Sequence, residues 1–163
     1  MCQLKFQAII PQQNLNWNNV NSKLVDGMDR YTKLVLKEFQ ETTQTWDNKP
    51  SFDRLVTTNG FKVVGEVSTS NKIYRYVSNG TRRHFVAPRR ANALRFRSQY
   101  TAKSAPGRIP SRSGGASGNF VFSRGHYVNG IEARKFDTQI KKDTEQRFKD
   151  YMLNAFENAL LGV

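Results

Sequence analysis

Val20, Leu24, Met28, Tyr31, Val35, Phe39, Thr42 and Trp46 recur at spacings of four, four, three, four, four, three and four. No other pattern restricts the fold of this chain as much. The spacing places all eight on one stripe of an amphipathic helix of about seven turns, and a stripe of that length demands a core to cover it. Asn18, Asn19 and Asn21 stand where an N-cap is expected, and Asn48-Lys49-Pro50 ends the helix, because the residue before a proline avoids the helical region. Gly27 within the helix costs about 1 kcal/mol against alanine, which predicts a neighbouring element approaching closely there. After Gly130 a second helical face appears, with Phe136, Ile140, Phe148, Met152, Ala155 and Ala159 in line, Tyr151, Phe156 and Leu160 widening it, and Gly162 finishing it.

Between and before the helices the period changes to two. Leu4 to Ile10 reads as a short strand stopped by Pro11, and the Asn/Gln-rich Gln12 to Asn19 as a loop. Ser51 to Thr57 and Phe61 to Val67 form a hairpin through Thr58-Asn59-Gly60, since Asn-Gly between alternating runs favours the tight turn. Ile73, Tyr74 and Val77 make one helical turn closed by Asn79-Gly80. His84-Phe85-Val86 is extended up to Pro88. Ala93 to Tyr100 alternates apolar and basic residues as a half-buried strand, to be paired with Phe120-Val121-Phe122 across a long loop. That loop, Thr101 to Asn119, holds Pro106-Gly107, Pro110 and a Gly/Ser run with three basic residues, and is expected to be mobile. The order predicts one α+β domain over residues 1–163: an antiparallel β-sheet flanked on one side by a long helix in the N-terminal half and a long C-terminal helix. At 163 residues the chain is long enough for a single sizeable core.

No run approaches the ~18 apolar residues of a membrane span, and Met1 to Pro11 is too short and polar for a secretory signal. One cysteine, Cys2, allows no internal disulfide, so a cytosolic chain is expected.

The net charge of +13 is unevenly placed. Residues 1–70 carry eight basic and seven acidic side chains, residues 131–163 six of each, and residues 71–130 twelve basic and no acidic ones. Ordinary solvated surfaces mix both signs. Sixty residues without a carboxylate imply an anionic neighbour, either nucleic acid or the acidic face of a protein. Ten of the twelve are arginine, whose planar guanidinium suits phosphate or carboxylate forks and ring stacking. Arg82, Arg83, Arg89, Arg90, Arg95, Arg97, Lys103, Arg108, Arg112 and Arg124 are therefore the candidate partner- or DNA-contacting residues. Of the aromatics among them, Tyr74, Phe85, Phe96, Phe120 and Phe122 are expected in the core, with Tyr76 and Tyr100 exposed.

Catalytic chemistry is not legible. His84 and His126 lie far apart with no cysteine or carboxylate nearby, where a metal needs three or four convergent ligands. Asp26, Asp29, Glu38 and Glu41 read as solvated helix charge, and Cys2 lacks a positioned base. The Gly-rich tract lacks the strand, the helix and the terminal Gly-Lys-Ser/Thr of a phosphate loop. No enzyme, metal or cofactor is expected, and a basic nuclease or toxin would need an acid or histidine constellation that the basic middle lacks.

Ile73-Tyr74-Arg75-Tyr76-Val77-Ser78-Asn79-Gly80-Thr81, then His84-Phe85-Val86-Ala87-Pro88-Arg89-Arg90-Ala91-Asn92-Ala93-Leu94-Arg95-Phe96, and finally Gly130-Ile131-Glu132-Ala133-Arg134-Lys135-Phe136 stand in an order and spacing that resembles the neck or tail-completion (head–tail joining) proteins of long-tailed bacteriophages. The resemblance covers about residues 71–163. It departs from many relatives where Gly125-His126-Tyr127 replaces a His-Pro-Gly tripeptide. It implies a structural virion protein of the neck, assembled in the host cytoplasm as a hexameric ring through which DNA passes. Its partners would be head-connector or portal-side proteins and tail-tube or tail-terminator proteins. Gly80 and Thr81 would fix a turn, the arginines would meet acidic partner surfaces or channel DNA, and the basic loop would order on docking. The alternative that the same charge allows is a sequence-nonspecific nucleic-acid-binding protein working through residues 71–130.

Overall fold

A computed structural model describes residues 2–9, 16–60, 62–109 and 111–161. The elements run β1 (Cys2–Ile9), α1 (Trp17–Glu41), β2 (Asp53–Asn59), β3 (Lys62–Thr69), α2 (Lys72–Asn79), β4 (His84–Val86), β5 (Leu94–Thr101), β6 (Gly115–Ser123), β7 (His126–Val128) and α3 (Phe136–Leu161). This is the expected α+β class, with every strand pair antiparallel. The strands form three small sheets, however, in the orders β1-β3-β2, β4-β7 and β5-β6. The chain divides into two compact units. One comprises residues 1–40, 51–71 and 136–163, the other residues 41–50 and 72–135. Ile10, Pro11, the start of the Asn/Gln-rich loop, Phe61, Pro110 and Gly162 lie outside the described residues, as does the side chain of Cys2.

The first unit holds the large core. In β3, Val63, Gly65 and Val67 alternate inward, opposite Ala8, Phe6 and Leu4 of β1. Onto that face α1 lays its stripe, with Val20, Leu24, Met28, Tyr31, Val35 and Phe39 all buried. Gly65 is needed there, because a Cβ on it would lie 2.5 Å from Thr32 Cγ2 and 2.7 Å from Met28 Sδ. The ring of Phe6 stands edge-on to Tyr31 at 4.6 Å and lies 5.7 Å from Phe148 of α3, so both long helices share one face of the sheet. Gly27 meets its predicted neighbour: a Cβ at this position would be 2.9 Å from the Cβ of Ala155. At 2.9 Å the Asn19 carboxamide donates to the Ala159 carbonyl, tying the start of α1 to the end of α3.

Two details of α1 differ from the sequence expectation. Its cap is Asn16, whose side-chain oxygen accepts from the Asn19 N–H at 3.5 Å. The helix also stops at Glu41, before Thr42 and Trp46. Those two continue the period through tight turns, in which the Gln44 N–H donates to Glu41 and the Trp46 N–H to Thr43, and they belong to the second unit. There the Thr42 hydroxyl contacts the Tyr74 hydroxyl at 3.2 Å, and the Trp46 and Tyr74 rings lie 6.1 Å apart.

The second unit is held differently. Tyr74 is its one large fully buried apolar side chain among the described residues, and Thr42, Thr43, Ser78, Ser104 and Ser111 are buried polar residues of the same unit. Polar bonds hold the segment between β5 and β6 against the turns after α1. The Ser111 N–H donates to the Glu41 carbonyl at 3.2 Å, the Thr45 N–H to Ser111 Oγ at 3.1 Å, and the Thr45 hydroxyl to the Arg112 carbonyl at 2.8 Å. Residues 115–119, read from sequence as part of the long loop, are strand: β6 begins at Gly115 and pairs with the far end of β5.

Candidate interaction surface

The unevenness of charge along the sequence becomes unevenness between units. Residues 41–50 and 72–135 carry 15 basic and three acidic side chains, a balance of +12, against 11 and ten in the other unit. Within the unit Asp47 pairs with Lys103 at 2.9 Å and Glu132 with Arg134 at 3.5 Å.

Strands β5 and β6 form a two-stranded ribbon whose register decides what each face carries. Arg95 lies opposite Phe122 and Arg97 opposite Phe120. Directly opposed residues share a face, so these four make one surface, and all four are exposed. The guanidinium carbons of Arg95 and Arg97 lie 3.7 and 3.8 Å from the centroid of the Phe120 ring, an arrangement worth roughly 0.5–1 kcal/mol per exposed pair. Arg97 also donates to the Gly118 carbonyl at 2.9 Å. The side chains are thus held in place while their charged edges face solvent. Phe122 beside them is 67% exposed. The opposite face carries Leu94, Phe96 and Val121, with Phe96 stacked 4.9 Å from the His126 ring. Between Arg97 and Gln99 the register shifts, which ends the Arg/Phe pattern.

The aromatics depart from the sequence expectation. Tyr74 is buried, and Tyr76 and Tyr100 are exposed as expected, but Phe85, Phe96, Phe120 and Phe122 are exposed too. Alternation put them on strand faces correctly. Burial needs a second layer over a strand face, and without one these rings stay exposed. In the β4–β7 pair Phe85 lies opposite Tyr127, their rings 5.2 Å apart, with Arg83 stacked 5.0 Å over Tyr127.

The remaining candidate cations divide by environment. Arg82, Arg83, Arg89, Arg90, Arg108, Arg112 and Arg124 are exposed, and Arg112 additionally donates from Nε to the Ala102 carbonyl at 3.1 Å. Lys103 is different, with its side chain only 16% exposed and its ammonium on Asp47. It acts within the unit. Arg75 was not among the candidates, yet its guanidinium lies 5.8 Å over the exposed Tyr76 ring. The adjacency of the two residues in sequence was the only available signal.

Gly80 and Thr81 form a clamp. Gly80 adopts φ +77°, and a Cβ there would stand 2.7 Å from the Ile131 carbonyl. Thr81 donates its N–H to that carbonyl at 2.9 Å and accepts the Ile131 N–H on its hydroxyl at 3.0 Å. Gly130 completes the approach, since a Cβ on it would overlap the Thr81 carbonyl. The Asn79-Gly80-Thr81 turn and the entry to the last helix, far apart in sequence, are therefore laid side by side.

Among the described residues no three His, Cys, Asp or Glu side chains converge as metal ligands would, and no helix is long and apolar enough to cross a membrane. No protein-family model, curated protein or solved structure matches this chain.

Proposed function

We propose that the chain is a structural subunit of a bacteriophage neck, forming a ring that joins the tail tube to the head connector and through which DNA passes. The observation that carries this reading is the β5–β6 ribbon: an exposed face of two arginines and two phenylalanines on a unit with one large fully buried apolar side chain among its described residues. Soluble monomers rarely expose such apolar area without a partner for it, and interfaces are enriched in aromatic residues and arginine. Further support comes from the Gly80-Thr81 clamp on residues 130–131, which joins two of the segments that resemble neck proteins.

The test is affinity capture of the tagged chain from cells producing its virus, after nuclease treatment and a high-salt wash. Recovery of connector, portal or tail-tube proteins is expected. Deleting residues 105–118 is expected to block head–tail joining, and intact joining by that variant would remove the loop from the docking role.

The +12 balance of the second unit favours a second reading, nonspecific nucleic-acid binding. It calls for capture that fails after nuclease, and for an affinity on duplex DNA whose logarithm falls with log salt by about 0.9 per phosphate contacted.

A further inference from the structure

The Arg/Phe face has a counterpart on the same chain. From Asp150 to Leu161, α3 carries two carboxylates and no cation. Asp150, Leu153, Glu157 and Leu160 recur at spacings of three, four and three, which sets acid and leucine alternately along one helical stripe. All four are exposed, Leu153 and Leu160 by 57% and 52%. Leu160 stands in the last turn of the helix with Glu157 beside it, where the backbone dipole adds negative potential. Beside the stripe, Met152, Leu153 and Phe156 line a mainly apolar cavity of about 560 Å³ together with Ile9 and Leu24, with room for an aromatic side chain; Asp150 and Lys149 also line it, the latter paired with Glu145 at 3.3 Å.

We propose that the Arg95/Arg97/Phe120/Phe122 face of one copy docks on the Asp150/Leu153/Glu157/Leu160 stripe of a second copy. Phe122 enters the cavity beside Leu153, and the two guanidiniums meet Asp150 and Glu157. Charge complementarity selects this occupant. Two ribbons facing each other would set arginine against arginine, whereas ribbon on stripe pairs both acids with both bases and covers apolar area on each side. A contact between two different surfaces of one chain is heterologous; it propagates head to tail and makes a ring where the rotation between copies closes. The inference deepens the ring reading by naming the two surfaces that build it.

The test is sedimentation velocity of the nuclease-treated full chain. The wild type is expected to associate with rising concentration. Arg95→Glu/Arg97→Glu and Asp150→Lys/Glu157→Lys are each expected to weaken association about 30-fold or more, the size of a lost desolvated charge pair. Combining all four in one chain is expected to restore it, and Phe122→Ser alone to weaken it. A monomeric wild type, association unchanged by either reversal and by Phe122→Ser, or association abolished by nuclease would overturn the proposal, the last in favour of nucleic acid as the bridge. Affinity capture separates the two levels. Virion proteins recovered with a monomeric wild type leave the neck reading and remove this contact; charge-swap rescue without virion proteins leaves the contact and removes the neck.

Discussion

Tyr31 shows how single side chains hold the first unit together. Its ring sits among Phe6, Phe148 and Tyr151, and its hydroxyl lies 2.9 Å from Thr144 Oγ1. Thr144 donates its own proton to the Ile140 carbonyl, so Tyr31 is the donor of the pair. Burial pushes the Tyr31 hydroxyl up to about 12 from its ordinary 10.0. A proton held more tightly in the folded state stabilises fully below pH 10, and that contribution falls as pH rises through the folded value. Tyr31→Phe is expected to cost about 1 kcal/mol at neutral pH, as the loss of one buried hydrogen bond, and to remove part of the alkaline decline, read by chemical denaturation at stepped pH. Asp29 governs the opposite limb. Its carboxylate is bonded first by Lys33 and then by Arg54, which hold it below its ordinary range. Its contribution is present above the unfolded pKa and lost as pH falls through the folded one, so Asp29→Asn is expected to flatten the acid decline in the same titration. At Gly27, alanine would gain about 1 kcal/mol of helix propensity, but its Cβ would stand 2.9 Å from that of Ala155. Overpacking costs about 1–3 kcal/mol, so Gly27→Ala is expected to lower the melting temperature. Adding Ala155→Gly should cost less than the two changes summed, a coupling that a double-mutant cycle measures.

Elements follow the local rules where the rules have local causes. The Asn59-Gly60 turn, with Gly60 at φ +58°, joins β2 and β3 where the dipeptide predicts it, and Gly80 closes α2 as a left-handed stop. The end of α1 was not legible, because Thr42 and Trp46 keep the helical period while both meet Tyr74 of the second unit. The ribbon was half legible. Its pairing could be read from alternation, but the register that sets Arg95 against Phe122 spans a long connection, and nothing local counts residues across it. Two substitutions separate the roles of exposed and buried rings within the second unit. Phe122→Ser removes a ring that is 67% exposed and is expected to change thermal stability by no more than about 0.5 kcal/mol. Tyr74→Ala empties the centre of a small core and is expected to cost about 3–5 kcal/mol. Thermal melts of the two variants check this, and a large loss for Phe122→Ser would mean the ribbon face is covered within the protomer.

At the scale of the molecule, charge and core belong to different units. The unit with the long helices and the three-stranded sheet has a balance near zero, and the unit with little apolar core has +12. Such a distribution attracts polyanions whatever the final partner is, so the purified chain is expected to retain nucleic acid at low salt and release it as salt rises. If ribbon guanidiniums contact phosphates, Arg95→Glu/Arg97→Glu should lower the slope of log affinity against log salt by about 2, one for each lost contact. An unchanged slope would place the phosphate contacts on the other arginines.

The sequence by itself determined the two long helices, the β2–β3 hairpin, the α+β class, a close approach at Gly27 and the location of the basic segment, because each depends on spacing, on the conformational limits of glycine and proline, or on simple charge count. Only the tertiary structure decided which of those faces are covered. Period-two alternation assigns residues to the two faces of a strand, and it does so equally well whether a helix, a partner or water lies over each face. In β1 and β3 the inward face met two helices and became core. In β5 and β6 the same kind of alternation met no second layer, and four residues read partly as core and partly as charge became one exposed surface.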